Sequence, residues 1–261
     1  MQFKIMTFNV RGSFNNDGQN AWEKRRRLNL ATIKKYAPGI IGFQEAQAGN
    51  LEAYDMNLKA FRSEHGFPAP RDKGAEYIPL YWHHERFEKL ASGAFYLSET
   101  PQIEAIGWAA KLVRPTTWLK LRGKSSNTIF LVLNTHFPHG IKEHETRKNC
   151  AKLIIEQIDT LASDLPTLVL GDFNALPDSL AYNAFLEQGF VDSYRAAGHK
   201  KDQNSFRDFR GANFPFSGIR IDWIMSRDAA QKFTITSCEL IQDAEPPLYP
   251  SDHYPVMATL S

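Results

Sequence analysis

The chain reads as a mixed α/β protein in which two β-sheets pack face to face with helices on their outer sides. Three observations predict this. Short runs rich in β-branched and aliphatic residues are interleaved with longer stretches of helical period. Several strand patterns follow one another across connections too short for a crossover helix, which argues against a purely parallel, doubly wound sheet. No glycine- or serine-rich linker, internal repeat or block of like charge divides the 261 residues, so 1–261 is expected to be one domain.

In chain order, strand patterns fall near 2–8, 39–44, 77–82, 92–97, 116–122, 128–135, 167–171, 220–226, 233–241 and 255–260. Helical patterns fit 22–36, 49–61, 142–163 and 179–187. The third is the clearest, because Cys150, Ile154, Ile158 and Leu161 recur at helical spacing and form one apolar face. On the first helix, Lys24-Arg25-Arg26-Arg27 reads as a solvated face. Gly198 to Gly218 is polar, glycine-bearing and rich in Arg and Phe, and reads as a long loop.

A net charge of +2, with basic and acidic residues nearly balanced, argues against a protein that grips long polyanions by bulk electrostatics. Cys150 and Cys238 lie far apart and are expected to be buried thiols of a reducing compartment rather than a disulfide. The N-terminus runs straight into a strand pattern without signal-peptide character, and no apolar stretch approaches a membrane span. A cytoplasmic protein without membrane contact is the expectation.

Polar residues recur in one context, the end of an otherwise apolar strand. Asn9 follows Ile5-Met6-Thr7-Phe8, Glu45 follows Ile40-Ile41-Gly42-Phe43, and His136 follows Phe130-Leu131-Val132-Leu133. Asp172 and Asn174 follow Leu168-Val169-Leu170, Asp222 sits in Ile221-Asp222-Trp223-Ile224, and Asp252-His253 precedes Pro255-Val256. Strands end on common rims, so such residues can converge on a rigid frame. Each alone has a bland reading: Asn9 as a turn initiator, Glu45 as a charge at a helix start, Asp172 and Asn174 as turn residues, His136 as a hydrogen-bonded core histidine. Together they supply what metal-dependent phosphate hydrolysis requires: oxygen ligands for a hard cation, a carboxylate for the attacking water and an imidazole for the phosphoryl oxygen. The sequence has no Gly-x-Ser-x-Gly elbow, no phosphate-binding Gly-x-x-x-x-Gly-Lys and no Cys-x-x-Cys pair. His83 and His84 are adjacent on a strand pattern, face opposite ways and do not suit one ion.

Thr7-Phe8-Asn9, Gly42-Phe43-Gln44-Glu45, Asn134-Thr135-His136, Gly171-Asp172-Phe173-Asn174, Arg220-Ile221-Asp222-Trp223 and Ser251-Asp252-His253 resemble, in order and over nearly the whole chain, the motifs of the endonuclease/exonuclease/phosphatase superfamily. The resemblance implies a four-layer α/β sandwich of two mixed sheets flanked by helices, with the site on one rim. It implies Glu45 as the main Mg²⁺ ligand, Mn²⁺ being the other candidate ion, with Asn9 and Asp252 beside the metal or its waters. Asp172 would orient or deprotonate the water, Asn174 would hold it or a phosphate oxygen, and His253, backed by Asp222, would face the scissile phosphate. By the same likeness Glu76 would support His136. Arg147, on the third helix, is expected to point toward the site or to pair with Glu143; Arg114, before Pro115, is expected to be solvated, with contact to substrate as the alternative.

The reading that results is a Mg²⁺-dependent phosphodiesterase using direct attack of water on a phosphate-ester substrate. Phe206, Arg207, Phe209, Arg210, Phe214 and Phe216 speak for a nuclease, since such residues stack on bases and meet phosphates. The alternatives are a phosphatase acting on a small, sugar or inositol phosphate and an inactive binding protein on the same fold. Oligomeric state is not legible in the sequence.

Overall fold

The computed structural model describes residues 2–261, and its layers follow from how the apolar runs alternate. Along a strand successive side chains face opposite ways. In β1, Phe3–Asn9, Phe3 and Ile5 enter the space between two sheets, whereas Met6 and Phe8 pack under helices. In β8, Thr167–Asp172, Leu168 and Leu170 join the same inter-sheet core while Val169 faces outward to another. Strands apolar on both faces must be covered on both, which gives four layers: helix, sheet, sheet, helix.

The first sheet contains β2 (Ile40–Gln44), β3 (Phe61–Glu64), β4 (Leu80–His83), β11 (Ile235–Leu240) and β12 (Val256–Leu260), in the order β11-β12-β1-β2-β4-β3. The second contains β5 (Phe87–Tyr96), β6 (Pro115–Gly123), β7 (Ile129–His136), β9 (Val191–Asp192) and β10 (Asp222–Arg227), in the order β5-β6-β7-β8-β10-β9. Each sheet has one parallel pair at its centre. The pair β1 and β2 is joined through α1 (Trp22–Tyr36), and the pair β7 and β8 through α3 (His144–Ala162). The remaining pairings are antiparallel, so both sheets are mixed. Helices α1 and α2 (Ala48–Asn57) cover the first sheet, and α3 with α4 (Leu180–Glu187) covers the second. Cys150 and Cys238 are free, buried thiols in different cores. No helix among the described residues is long and apolar enough to cross a membrane.

The element boundaries differ from expectation in three places. The second helix stops at Asn57 instead of reaching 61, because Phe61–Glu64 is drawn into β3 against β4. Local propensity alone would have let that helix continue; pairing with a sheet overrides it. The strand expected at 92–97 is β5, which begins earlier, at Phe87, with a bulge between Lys89 and Ala91. Strand β9 and the one-turn helix α5 (Ser193–Ala196) were too short to leave a period in the sequence.

The basic run on α1 is a larger correction. Arg25 is 0% exposed, and its guanidinium donates to the carbonyls of Asn20, Val10, Pro250 and Arg11. It is an internal clamp rather than part of a solvated face. It fastens the loop after β1 to the segment that leads into Ser251-Asp252-His253.

Candidate active site

The strand registers bring the candidate side chains to one rim. Strands β1, β2, β7 and β8 end at or just before Asn9, Glu45, His136 and Asp172. His136 lies opposite Asp172 across the parallel pair, and Asp222 opens β10 opposite Asp172. Antiparallel β12 enters beside Thr7, so the preceding Asp252 and His253 reach the same rim. The two sheets are locked together just below it. Gln44 Nε2 donates to Thr7 Oγ1 (3.0 Å) and to Asn134 Oδ1 (2.6 Å), and Asn134 Nδ2 donates to the carbonyls of Phe43 (2.8 Å) and Pro79 (2.9 Å). Gly42 leaves room for this network, since a Cβ there would lie 2.7 Å from Asn134 Cγ. A satisfied buried polar network of this kind fixes one relative placement of its elements.

Two of the rim residues have left-handed backbone, Glu45 at φ 59° and Asn174 at φ 47°. Residues with a Cβ seldom adopt this conformation, and it persists only where surroundings impose it. Around Asn174 the cause is visible. Asp172 Oδ1 accepts from the Asn174 backbone N–H (2.9 Å), while Asn174 Nδ2 donates to the carbonyl of Phe137 (2.9 Å). That leaves Asn174 Oδ1 as an available acceptor beside Asp172.

Asp172 Oδ2 is the geometric centre of the site. It accepts from Asn9 Nδ2 (3.0 Å) and lies 3.5 Å from His136 Nε2 and 3.8 Å from His253 Nε2. Burial, reinforced by the Asp222 charge, pushes the Asp172 carboxyl up to about 7. His253 moves the other way from a buried imidazole's usual shift. Burial pulls it down, but Asp222 Oδ2 accepts from its Nδ1 at 2.9 Å, and this charge more than offsets burial to raise it to about 10. Asp222 is held by Ser205, whose Oγ accepts from the backbone N–H groups of Ile221 and Asp222.

His136 differs. Its Nδ1 faces Arg114 Nη1 at 3.0 Å, and burial together with that guanidinium lowers its pKa well below the ordinary histidine value. A guanidinium only donates, so Nδ1 accepts and the ring proton sits on Nε2. Arg114 is thus buried at the site, not solvated as expected from the sequence, and its Nη2 meets His139 Nδ1 at 3.2 Å. The expected pairing of Glu76 with His136 is also corrected. Glu76 lines the cleft but its carboxylate meets Arg71 Nε at 2.8 Å, and Arg114 occupies the place beside His136 Nδ1. Strand pairing explains this: β6 begins at Pro115 with Thr116 opposite Thr135, which delivers Arg114 next to His136.

Carboxylates gather on the opposite side. Glu45 Oε1 accepts from Asn9 Nδ2 (3.0 Å), and its pKa is lowered because that bond and the charges of His253, Arg11 and Arg114 outweigh burial. Asp252 is raised by burial and by Glu45. Its closest cationic nitrogen apart from the neighbouring histidine is Arg11 Nε at 3.9 Å, and Arg11 is engaged more closely with Asp17 at 3.0 Å. Among the described residues no ion pair within 4.0 Å neutralises Glu45. Two carboxylates with so little close compensation and only oxygen donors suit a hard divalent cation. Asn9 turns its Nδ2 toward Glu45 and Asp172 while its Oδ1 accepts from the Arg11 N–H, so it orients both carboxylates. Asp172, Asp222 and His253 also bring ligand atoms within 4.8 Å of one another. There, however, the charged imidazole already stands between the two carboxylates as their cation.

The cleft over this rim has a volume of about 780 Å³ and is walled by Leu112, Ile141, Phe206, Phe209 and Ile219. Phe206 pairs with His253 in an isolated bridge, and the two rings lie 5.0 Å apart. The arginines of this loop are turned aside: Arg207 Nη1 donates to the Gly211 carbonyl and Arg210 pairs with Asp208. Arg147 does not line the cleft either. It donates to the carbonyls of Pro138 and Gly140, bracing the loop that carries His139, while Glu143 accepts from the Gly140 N–H.

Comparison with known proteins agrees with this architecture. A structure from Bacteroides vulgatus described as an endonuclease/exonuclease/phosphatase is 30% identical, with a TM-score of 0.89 over 100% of this chain and 99% of that one. A mannosyl-6-phosphatase of Bacteroides thetaiotaomicron is 26% identical, with a TM-score of 0.86 over 99% of each chain. Protein angel of Drosophila melanogaster is 23% identical over 66% of this chain, which spans about half of it, 49%. The sequence profile of the Endonuclease/Exonuclease/phosphatase family matches residues 6–253. The chain belongs to that family of phosphoesterases.

Proposed function

We propose that the protein is a Mg²⁺-dependent hydrolase that cleaves the phosphate ester of a small molecule by direct attack of water, with 1–261 acting as one catalytic domain. The observation that carries this reading is the central placement of Asp172 Oδ2 among Asn9, His136 and His253. A carboxyl raised to about 7 is matched to taking a proton from water near neutral pH. Asn174 Oδ1 is placed to hold that water on its other side. His253, charged through Asp222, donates from Nε2 to a phosphoryl oxygen as negative charge builds there. His136 offers a second Nε2–H donor without adding charge. Glu45 and Asp252 would hold the metal, with Asn9 fixing the angle of the Glu45 carboxylate. When bound, the ion supplies Lewis-acid polarisation of the phosphoryl group and charge neutralisation.

A small substrate is favoured by the cleft. Its volume falls within the several hundred cubic ångströms typical of small-molecule pockets. The loop arginines that favoured a nuclease are occupied elsewhere, which removes the basic half of that argument. The likeness to a protein named a mannosyl-6-phosphatase points the same way, toward a phosphorylated sugar or similar metabolite. Two buried free thiols support a reducing, cytoplasmic setting. The test is hydrolysis of a panel of sugar phosphates, inositol phosphates, DNA and RNA with added Mg²⁺ or EDTA, using Asp172→Asn and His253→Ala as controls. Metal-dependent turnover of a small ester, absent from both variants, is expected. Turnover that survives EDTA or the His253→Ala change would overturn the reading.

A further inference from the structure

The end of the cleft around Arg114, Arg71 and His139 carries positive charge and hydrogen-bond donors beyond those the hydrolytic mechanism uses. Arg114 is 4% exposed, and none of the close ion pairs among the described residues involves it. Its two terminal nitrogens are taken by His136 and His139, and its buried Nε has no partner. Beside it Arg71 gives Nε to Glu76 but leaves a buried Nη2 unpartnered. Of these two guanidinium groups, Arg71 has a carboxylate in close contact, Glu76, whereas Arg114 feels Glu76, Glu45 and Asp172 only at longer range. Because Arg114 only donates, both imidazoles accept at Nδ1 and present Nε2–H; the His136 donor lies 3.5 Å from Asp172 Oδ2, so this corner adjoins the reacting centre. Burying unpaired donors and excess charge is costly unless a ligand completes them.

We propose that Arg114, Arg71 and His139 form a receptor for the doubly charged terminal phosphate of a monoester, so that the enzyme selects phosphate monoesters over diesters. The proposal rests on the phosphoester reading above; it departs from the sequence expectation of a diester and takes up its phosphatase alternative. A monoester carries close to two negative charges above its second pKa, near 6. A diester carries one, and its second organic group replaces a charged acceptor oxygen with an ester oxygen. Arg114 Nε, Arg71 Nη2 and His139 Nε2 would then meet one charge and one charged oxygen fewer, and charge-assisted hydrogen bonds are about twice as strong as neutral ones.

The experiment compares p-nitrophenyl phosphate with bis(p-nitrophenyl) phosphate on the full chain with Mg²⁺, for the wild type, His139→Ala and Arg114→Lys. His139 is exposed, so its loss spares the core, and lysine keeps the charge of Arg114 but cannot hold two imidazoles. Monoester kcat/KM is expected to fall by about tenfold more than diester kcat/KM in both variants, chiefly through KM. Titration of inorganic phosphate by calorimetry should show a loss of similar size. Equal losses on the two esters with unchanged phosphate affinity would overturn the receptor. If the wild type hydrolyses neither ester, the reaction reading fails, and the phosphate titration alone then decides: weakened binding in the variants upholds the receptor and unaltered binding overturns it.

Discussion

Replacing Arg25 by methionine tests how the site is held together. The guanidinium donates to four carbonyls, those of Asn20, Val10, Pro250 and Arg11, and it stacks over Trp22 at 5.1 Å. Hydrogen bonds from a charged donor contribute about 1.5–3 kcal/mol each. Their simple sum overstates the loss, because burial of a guanidinium with only carbonyl partners is itself costly and pulls its pKa down. Met keeps the apolar stem but removes the donor from all four carbonyls, of which that of Pro250 retains Asn29 Nδ2, so a net destabilisation of about 3–5 kcal/mol is expected, by analogy with broken buried charge networks. For a chain of this size that corresponds to a fall in Tm of roughly 10 °C. The loss should also reach the site. Val10 and Arg11 follow Asn9, Pro250 precedes Asp252, and Ser251 Oγ donates to the Asn9 carbonyl at 2.7 Å. Mn²⁺ affinity, read by calorimetry below the melting range, should weaken about tenfold as the carboxylate-bearing segments loosen. Arg25→Lys, with one compact donor group, should fall between. A variant that melts within about 2 °C of the wild type and binds Mn²⁺ equally well would refute the clamp.

Other changes probe single features. Asp222→Asn removes the largest of the charges that raise His253, so its imidazole should titrate well below about 10. In metal-free protein the stabilisation from this raised pKa is complete below 6.5 and lost as pH rises through about 10; the wild type should lead the variant by on the order of 3 kcal/mol in urea unfolding at pH 6, with the lead shrinking toward pH 10. A lead that grows with pH would contradict the assignment. Glu45→Gln should abolish most of the thermal stabilisation given by Mg²⁺ or Mn²⁺, beyond the smaller metal-free loss that follows from giving up the favourable charges around the Glu45 carboxylate. Gly171→Ala places a Cβ 2.1 Å from the Thr135 carbonyl oxygen within the β7–β8 pair, and should cost about 2–4 kcal/mol in denaturant unfolding together with turnover. Wild-type stability would show that the strand pair has slack.

What the sequence disclosed depended on how local each signal was. An apolar run ending in a polar residue is a local pattern, and Asn9, Glu45, His136 and Asp172 were visible as candidates for that reason. Buried arginines were not, because the prior for a charged residue is exposure and their partners are distant carbonyls or rings. Arg25 did leave a trace: it lies between Trp22 and Leu28 at helical spacing, on the buried face of α1, inside a run whose charge drew attention away. Arg114 stood out only as an arginine before Pro115 that could touch substrate, since its approach to His136 depends on the β6–β7 register. Gln44, Asn134 and Gly42 stood within the matched motifs but read as neighbours of the chemistry. Only the packing of the sheets shows them as the lock between layers.

The two active-site imidazoles show why the departure at Arg114 matters. His136 and His253 are each 4% exposed and each turns Nε2 toward Asp172 Oδ2, at 3.5 and 3.8 Å. Their burial is the same, so the partner at Nδ1 decides their charge. Asp222 at 2.9 Å raises His253, whereas Arg114 at 3.0 Å lowers His136. One ring is a lasting cation and the other a neutral donor. In the proposed mechanism this asymmetry protects the base. A second imidazolium at 3.5 Å would favour the ionised form of Asp172 and pull its pKa back down, leaving a carboxylate too weak to take a proton from water. With His136 neutral, burial and Asp222 keep Asp172 near 7 while His253 still supplies positive charge for the phosphoryl oxygens. Arg114 thus keeps the ring next to the base uncharged, while its own charge acts on Asp172 only from beyond that ring.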